Sequence, residues 1–198
     1  MLVTDDELLA GRDLVEVARA AERGGVTAVQ LRLKRATARE LAVAAQALVG
    51  ALKVPVLVND RPDVALAAGA AGVHLGPDDL PVAHARRIAP AGFIVGASAG
   101  SAAEAQAAGE ADYWGVGPWR LSGTKADAGE PLGADGFRRI VALAAGKPCI
   151  GIGGVRPEDV PVVRAAGGIG VAVVSGILGA GDVEMAAREY SNSVNSER

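Results

Sequence analysis

The sequence predicts a single-domain α/β protein, a closed (β/α)8 barrel (TIM barrel), and three observations carry that prediction. Eight short apolar runs recur along the chain, starting about 20 to 35 residues apart. Nearly every pair is separated by a helical pattern. The runs also end abruptly in polar or glycine-rich turns, and the turns after the seventh and eighth, Gly151-Ile152-Gly153-Gly154 and Val174-Ser175-Gly176, are placed where barrels commonly bind phosphate. An open doubly wound sheet is the competing architecture, and it would be expected to have fewer strands.

In chain order, residues 2–4 are the first strand. Residues 13–23 place Leu14, Val17, Ala18 and Ala21 on one face and stop at Gly24-Gly25, the pattern of a helix with a C-terminal glycine. Residues 27–31 form the second strand. Thr37 with Glu40 three positions later is a capping box for a helix running to about residue 52. Strand three is 54–58, followed by a short helix over 63–70 started by Pro62, and strand four is 72–75. A helix over 81–88, a strand over 93–97, a helix over 101–108 capped by Ser101 with Glu104, and a strand over 112–116 come next. The period closes with a helix over 134–145, a strand over 148–151, a helix over 157–166 with proline in its first turn, a strand over 170–174 and a last helix over 183–190. The domain takes in residues 1–198, with about 191–198 expected as a frayed tail.

Composition limits the function classes. The chain is 50% hydrophobic and long enough for one well-buried domain. A net charge of −3 leaves no basic footprint for nucleic acid. There is no apolar stretch of membrane-spanning length and no basic leader, so a cytoplasmic protein without membrane contact is expected. The single cysteine, Cys149, sits in an apolar run and reads as a buried bystander. Outer helices rich in Ala and Leu leave a homo-oligomer open.

The chemistry lies in the residues just after the strands. The end of strand two, Gln30-Leu31-Arg32-Leu33-Lys34, alternates so that an amide and two cations share one side. Strand three ends in Asn59-Asp60-Arg61 and strand four in Gly76-Pro77-Asp78-Asp79. Parallel neighbours bring Asp60 and Asp79 into the same space, and two carboxylates at one mouth suggest a divalent cation. Strand five ends at Ser98, and strand six runs through Gly117-Pro118 into a loop containing Thr124-Lys125. The mouth thus divides into a half where Arg32, Lys34, Lys125 and a metal suit a pyrophosphate, and a glycine cradle on strands seven and eight suited to a monophosphate. Ordinary structural roles compete: Asn59-Asp60 as a self-bonded turn, Asp78 or Asp79 as a helix cap, His74 as a hydrogen-bonded core histidine, Lys125 as a surface lysine, and Trp114 and Trp119 as core, Trp119 alternatively touching substrate.

Read together, LVTD, QLRxK, NDR, HLGPDDL, GASxxS, DYWGVGP with a following TK, GIGGV and GVAVVSGI resemble thiamine phosphate synthase and its TenI relatives over almost the whole chain. The resemblance implies a barrel enzyme that joins 4-amino-2-methyl-5-hydroxymethylpyrimidine pyrophosphate to hydroxyethylthiazole phosphate and releases pyrophosphate with Mg2+. It implies Gln30, Arg32, Lys34, Asn59 and Lys125 around the pyrimidine pyrophosphate, with Ser98, Ser122 and Thr124 beside them. Asp60 and Asp79 would hold Mg2+, and Gly153, Gly154, Val174 and Ser175 would take the thiazole phosphate. Arg32, Lys34, Ser98 and Lys125 are then the catalytic candidates, stabilising a departing anion rather than acting as nucleophile or base.

Three departures from the family pattern stand out. Leu33 replaces a usual Glu, residues 97–101 lack a frequent His, and Trp119-Arg120-Leu121-Ser122 replaces the usual aromatic-Pro-Thr, Ser122 keeping the hydroxyl. The closest rival activity, a TenI-type thiazole tautomerase, usually carries His where Pro118 stands and lacks the carboxylate at Asp79. A catalytically inactive phosphate-binding barrel is the other alternative.

Overall fold

The computed structural model describes residues 1–121 and 129–195. It contains eight parallel strands in the order of the chain: β1 (Leu2–Val3), β2 (Val29–Leu31), β3 (Val56–Asn59), β4 (Gly72–Leu75), β5 (Ile94–Ser98), β6 (Tyr113–Val116), β7 (Cys149–Ile152) and β8 (Gly170–Ala172). A parallel bridge between Leu2 and Val173 joins the last strand to the first, with Val3 N–H donating to Val173 O at 2.9 Å. The sheet is therefore closed into a barrel, and among the described residues no strand is left as an open edge.

Helices α1 (Leu14–Arg23), α2 (Ala38–Ala51), α3 (Pro62–Ala68), α4 (Val82–Ile88), α5 (Ala102–Ala107), α6 (Gly133–Leu143) and α7 (Val160–Ala165) return the chain between strands. A single turn, α8 (Ser175–Leu178), and the long α9 (Val183–Asn195) complete it. Strand residues buried on both faces explain why the strands read as apolar runs rather than alternating ones. Leu31, Val58, Val73, Val95 and Trp114 point outward under the helices, while Val3, Leu57, Tyr113, Ile150 and Ala172 fill the barrel interior as a separate cluster. Cys149 is fully buried and burial pushes its thiol up to about 11, in keeping with a packing role.

The Thr37 capping box forms as the spacing predicts, with Glu40 N–H donating to the Thr37 hydroxyl and the Glu40 carboxylate accepting from Thr37 N–H at 2.8 Å. α3 stops at Gly69, which takes the left-handed φ of 68°. The strands predicted over 54–58 and 148–151 begin their ladders later, because Pro55 and Pro148 can only accept: their carbonyls take the Val29 and Trp114 N–H groups. The helix expected over 157–166 is split into a 3-10 turn, Pro157–Asp159, and α7. Pro161 lacks the N–H that would continue the ladder from Pro157.

The tail expected to fray from 191 is instead helical to Asn195. Ser191 packs against Gly25, where a Cβ would come within 2.4 Å of its hydroxyl, and Val194 packs on the core. Among the described residues no helix is long and apolar enough to cross a membrane.

Candidate active site

At the C-terminal ends of the strands opens one cavity of about 590 Å3. Gln30, Arg32, Lys34, Asn59, Asp60, Asp79, Ser98, Gly153, Gly154, Val174 and Ser175 all line it. The structure thus brings together eleven of the residues singled out above, from six different strand ends. Ser122, Thr124 and Lys125 lie outside the described residues.

The alternation after β2 works as expected: Leu31 is fully buried and Leu33 packs on the outer core, turning Gln30, Arg32 and Lys34 to the mouth. What holds these cations was not visible in the pattern. Thr4, fully buried at the end of β1, donates its hydroxyl to Arg32 O at 3.0 Å and accepts from Arg32 N–H at 2.8 Å. Asp5 pairs with the Arg32 guanidinium at 3.1 Å, and Asp6 accepts from Lys34 N–H at 2.7 Å. The Asp5 and Arg32 side chains are only 14% and 19% exposed, so the pair fixes the guanidinium with little freedom left. Replacing Asp5 by Ala frees Arg32 to leave its place. We expect a roughly tenfold rise in KM for the pyrophosphate substrate with the fold intact, checked by steady-state kinetics beside circular dichroism.

Asp60 has the left-handed φ of 65°, unusual outside glycine, and its N–H donates to His74 O at 2.8 Å. That kink turns its carboxylate toward Asp79, with which it shares a hydrogen bond, and toward Lys34 Nζ at 2.5 Å. Asp79 in turn accepts from Gly76 N–H at 2.7 Å, whereas Asp78 is exposed and α4 has no side-chain cap. The two carboxylates respond in opposite directions. Desolvation, then the hydrogen bond and charge of Asp60, push Asp79 up to about 6. Burial also pushes Asp60 upward, but hydrogen bonds from Asp79 and Lys34 and the charges of Lys34 and Arg32 outweigh it and hold Asp60 below its ordinary value.

Two carboxylates brought together where solvent is partly excluded form a donor set that a cation relieves. Among the described residues no group of three His, Cys, Asp or Glu side chains is placed to hold a metal. A hard cation bound here would complete its shell with water and substrate oxygens, the habit of Mg2+.

Deeper in the barrel runs a polar chain that joins two of the expected site residues, Gln30 and Ser98, through Tyr113 and His74. His74, 7% exposed, places Nδ1 2.9 Å from the Tyr113 hydroxyl and Nε2 3.2 Å from Ser98 Oγ, and Gln30 hydrogen-bonds Tyr113. His74 is thus hydrogen-bonded in the core and also lines the cavity. Gly96 and Gly115 make room for it: a Cβ on Gly96 would lie 2.2 Å from the Tyr113 ring, and one on Gly115 3.1 Å from His74. Glycine inside a strand is the sequence signal that could have found this network.

On the far side, Gly153 and Gly154 take φ of 88° and 66°, conformations that other residues rarely adopt. Tyr190 of α9 donates to Val155 O at 3.0 Å and fills the space beside Gly176, where a Cβ would meet its hydroxyl at 2.2 Å. α8 opens on Ser175, whose N–H and that of Gly176 have no place in the helical ladder. Trp119 settles as core, 4% exposed and edge-on to Phe137 at 5.7 Å, and does not line the cavity. Trp114 is also core, its indole donating to Ala108 O at 2.9 Å.

Residues 1–177 match the family model described as thiamine monophosphate synthase. The thiamine-phosphate synthase of Azorhizobium caulinodans is 47% identical across all of this chain and 95% of its own length. That of Methanoculleus marisnigri is 47% identical over 98% of this chain and 93% of its own. Among solved structures, the thiamine phosphate pyrophosphorylase from Pyrococcus furiosus superposes with a TM-score of 0.87 at 36% identity, covering 98% of this chain and 95% of that one. 3-Hexulose-6-phosphate synthase, at 20% identity and a TM-score of 0.72, shares the fold alone. By sequence over nearly its whole length, and by the architecture that sequence builds, the chain belongs to the thiamine monophosphate synthase family.

Proposed function

We propose that this chain forms thiamine phosphate, joining 4-amino-2-methyl-5-hydroxymethylpyrimidine pyrophosphate to hydroxyethylthiazole phosphate with release of pyrophosphate. Membership of the family makes it a transferase acting on small molecules. The observation that carries the finer reading is one cavity with two unlike halves, a carboxylate pair with two cations on β2–β4 and a neutral glycine backbone on β7–β8.

The chemistry asked of the protein is charge stabilisation. The bond from the pyrimidine methylene carbon to the pyrophosphate oxygen breaks with its electrons leaving on oxygen, and the thiazole nitrogen then supplies a pair to the same carbon. No proton moves, so no general base is needed. Arg32, held by Thr4 and Asp5, offers a fixed guanidinium to the departing group, and Lys34 reaches the same space beside Asp60. Ser98 adds a hydroxyl whose direction is set by His74. Asp60 and Asp79 would hold Mg2+, which when bound supplies further positive charge to the pyrophosphate oxygens. Gly153, Gly154, Val174 and Ser175 would seat the thiazole phosphate, and the barrel wall would keep water from the pyrimidine cation. We assign the reaction to the cytoplasm, in keeping with a lone, reduced and buried cysteine.

The deciding experiment incubates both substrates with Mg2+ or with EDTA and measures thiamine phosphate. Metal-dependent product is expected. Binding of both substrates without product in Mg2+ would overturn the reading.

A further inference from the structure

The loop after β6 departs from the family pattern at Arg120, and the structure shows where that side chain goes. Its guanidinium makes a two-pronged ion pair with Asp159, Nη1 to Oδ2 and Nη2 to Oδ1, the second at 2.6 Å. The Asp159 side chain is only 6% exposed, and its Oδ2 also accepts from Arg156 N–H at 2.9 Å. Asp159 closes the 3-10 turn that follows the glycine cradle on β7.

The same loop lies directly on that cradle. Arg120 N–H donates to Gly153 O at 2.9 Å and Trp119 N–H to Ile152 O at 2.8 Å. A Cβ on Gly154 would meet Arg120 Cβ at 3.1 Å. Gly153 and Gly154 are therefore held from both sides: the loop backbone grips them from one strand end, and its arginine is anchored to the turn on the other. Gly153 and Gly154 line the cavity, and Arg120 stands outside it.

We propose that Arg120 and Asp159 are a positioning pair for the Gly153–Gly154 backbone, fixing the N–H groups that receive the monophosphate of the second substrate. The inference rests on the functional reading above and adds two residues to it. Neither touches substrate. Neither charge lines the cavity, and the pair's contacts are to the Gly153 backbone and the turn after β7 rather than to Asp60 or Asp79, so loss of the ion pair acts on one substrate and spares the other. A planar fork and a nearly buried carboxylate define orientation more tightly than a single contact does, which suits a backbone cradle that needs fixed geometry.

The test is calorimetry with hydroxyethylthiazole phosphate, alongside steady-state kinetics with each substrate varied. Asp159→Asn keeps an acceptor for Arg156 N–H and removes the charge that anchors Arg120. We expect Kd and KM for the thiazole phosphate to rise about tenfold, with kcat and KM for the pyrimidine pyrophosphate unchanged within about twofold. Arg120→Lys, which keeps the charge and loses the fork, should give a smaller shift of the same kind and stands in if Asp159→Asn does not fold. Arg120→Gln with Asp159→Asn should cost no more than Asp159→Asn alone, since both act through one contact. Equal rises in both KM values, a fall in kcat alone, or unchanged thiazole phosphate affinity overturns the pair's role. Failure of the wild-type protein to bind the thiazole phosphate would sink the functional reading together with this inference, whereas wild-type binding that the variants leave unmoved sinks the inference alone.

Discussion

Asp79→Asn is expected to abolish metal-dependent turnover, lowering kcat/KM by about a thousandfold, while making the metal-free protein more stable at neutral pH. Both effects come from one geometry. Asp79 and Asp60 share a hydrogen bond, and in the metal-free fold that contact is best made when one of them is protonated; burial and the neighbouring charge push Asp79 up to about 6 from the ordinary 3.8. Because its folded value is raised, the stability Asp79 contributes is fully present below about 4 and is lost as pH rises through about 6. Asp60 works in the opposite direction. Held below its ordinary value, it contributes stability above that value that is lost as pH falls through the folded one.

At pH 7 the metal-free site is thus under like-charge strain that a neutral amide removes. In the Asp79→Asn variant the amide oxygen can still accept from Gly76 N–H, and the amide nitrogen can donate to Asp60. The gain should be about 1 kcal/mol, because the pair is partly in water and solvent screens it. Thermal melts of wild type and variant between pH 5 and 8, with and without Mg2+, check this. The wild-type melting temperature without metal should fall through that range relative to Asp79→Asn, and Mg2+ should raise only the wild type. The proton and the metal compete for the same oxygens, so wild-type Mg2+ affinity should weaken as pH falls below about 6. A variant that still binds Mg2+ and turns over would show that Asp79 is not a ligand.

Much of this was legible in the chain because parallel barrel strands are buried on both faces and announce themselves as short apolar runs. The residues after each run fall at the mouth by topology alone, so Gln30, Arg32, Asp60 and Asp79 could be placed without coordinates. What stayed hidden depends on distances between separate strands. Thr4 and Asp5 belong to the LVTD motif but carried no assigned role in the sequence, yet they lock Arg32 from 28 and 27 residues away. The partner of Arg120 is 39 residues on, and no local rule pairs them. The C-terminal helix outran its expected end because Gly25 offers it a seat, a tertiary contact that overrides weak helix propensity in Ser191, Asn192 and Ser193. Tyr113 was hidden for a different reason: its polar tip faces a barrel interior, where an apolar filling is the usual expectation, and although His74 read as a hydrogen-bonded core histidine, its partners Tyr113 and Ser98 lie on other strands.

That interior network is where a single methyl group should have the largest structural effect. Gly96 lies on β5, paired with His74 on β4 and Tyr113 on β6. A Cβ at this position would sit 2.2 Å from two ring carbons of Tyr113 and 2.5 Å from its hydroxyl, so the ring must move. Gly96→Ala therefore overpacks the barrel and also breaks the Tyr113–His74 bond of 2.9 Å, leaving a nearly buried phenol and imidazole to find new partners. Together these should cost about 3 to 5 kcal/mol, enough to lower the urea midpoint severely or prevent folding. Activity should fail even in molecules that fold, because Ser98 loses the His74 contact that orients its hydroxyl. Tyr113→Phe separates the two consequences. It keeps the ring and the packing and removes only the hydroxyl, leaving His74 Nδ1 and Gln30 without that partner; the stability loss should be about 1 to 2 kcal/mol with a clear fall in kcat. If Gly96→Ala melts like wild type, the tight approach of Tyr113 to β5 is wrong. If Tyr113→Phe retains full kcat, the chain from Gln30 to Ser98 supports the barrel and leaves the reaction untouched.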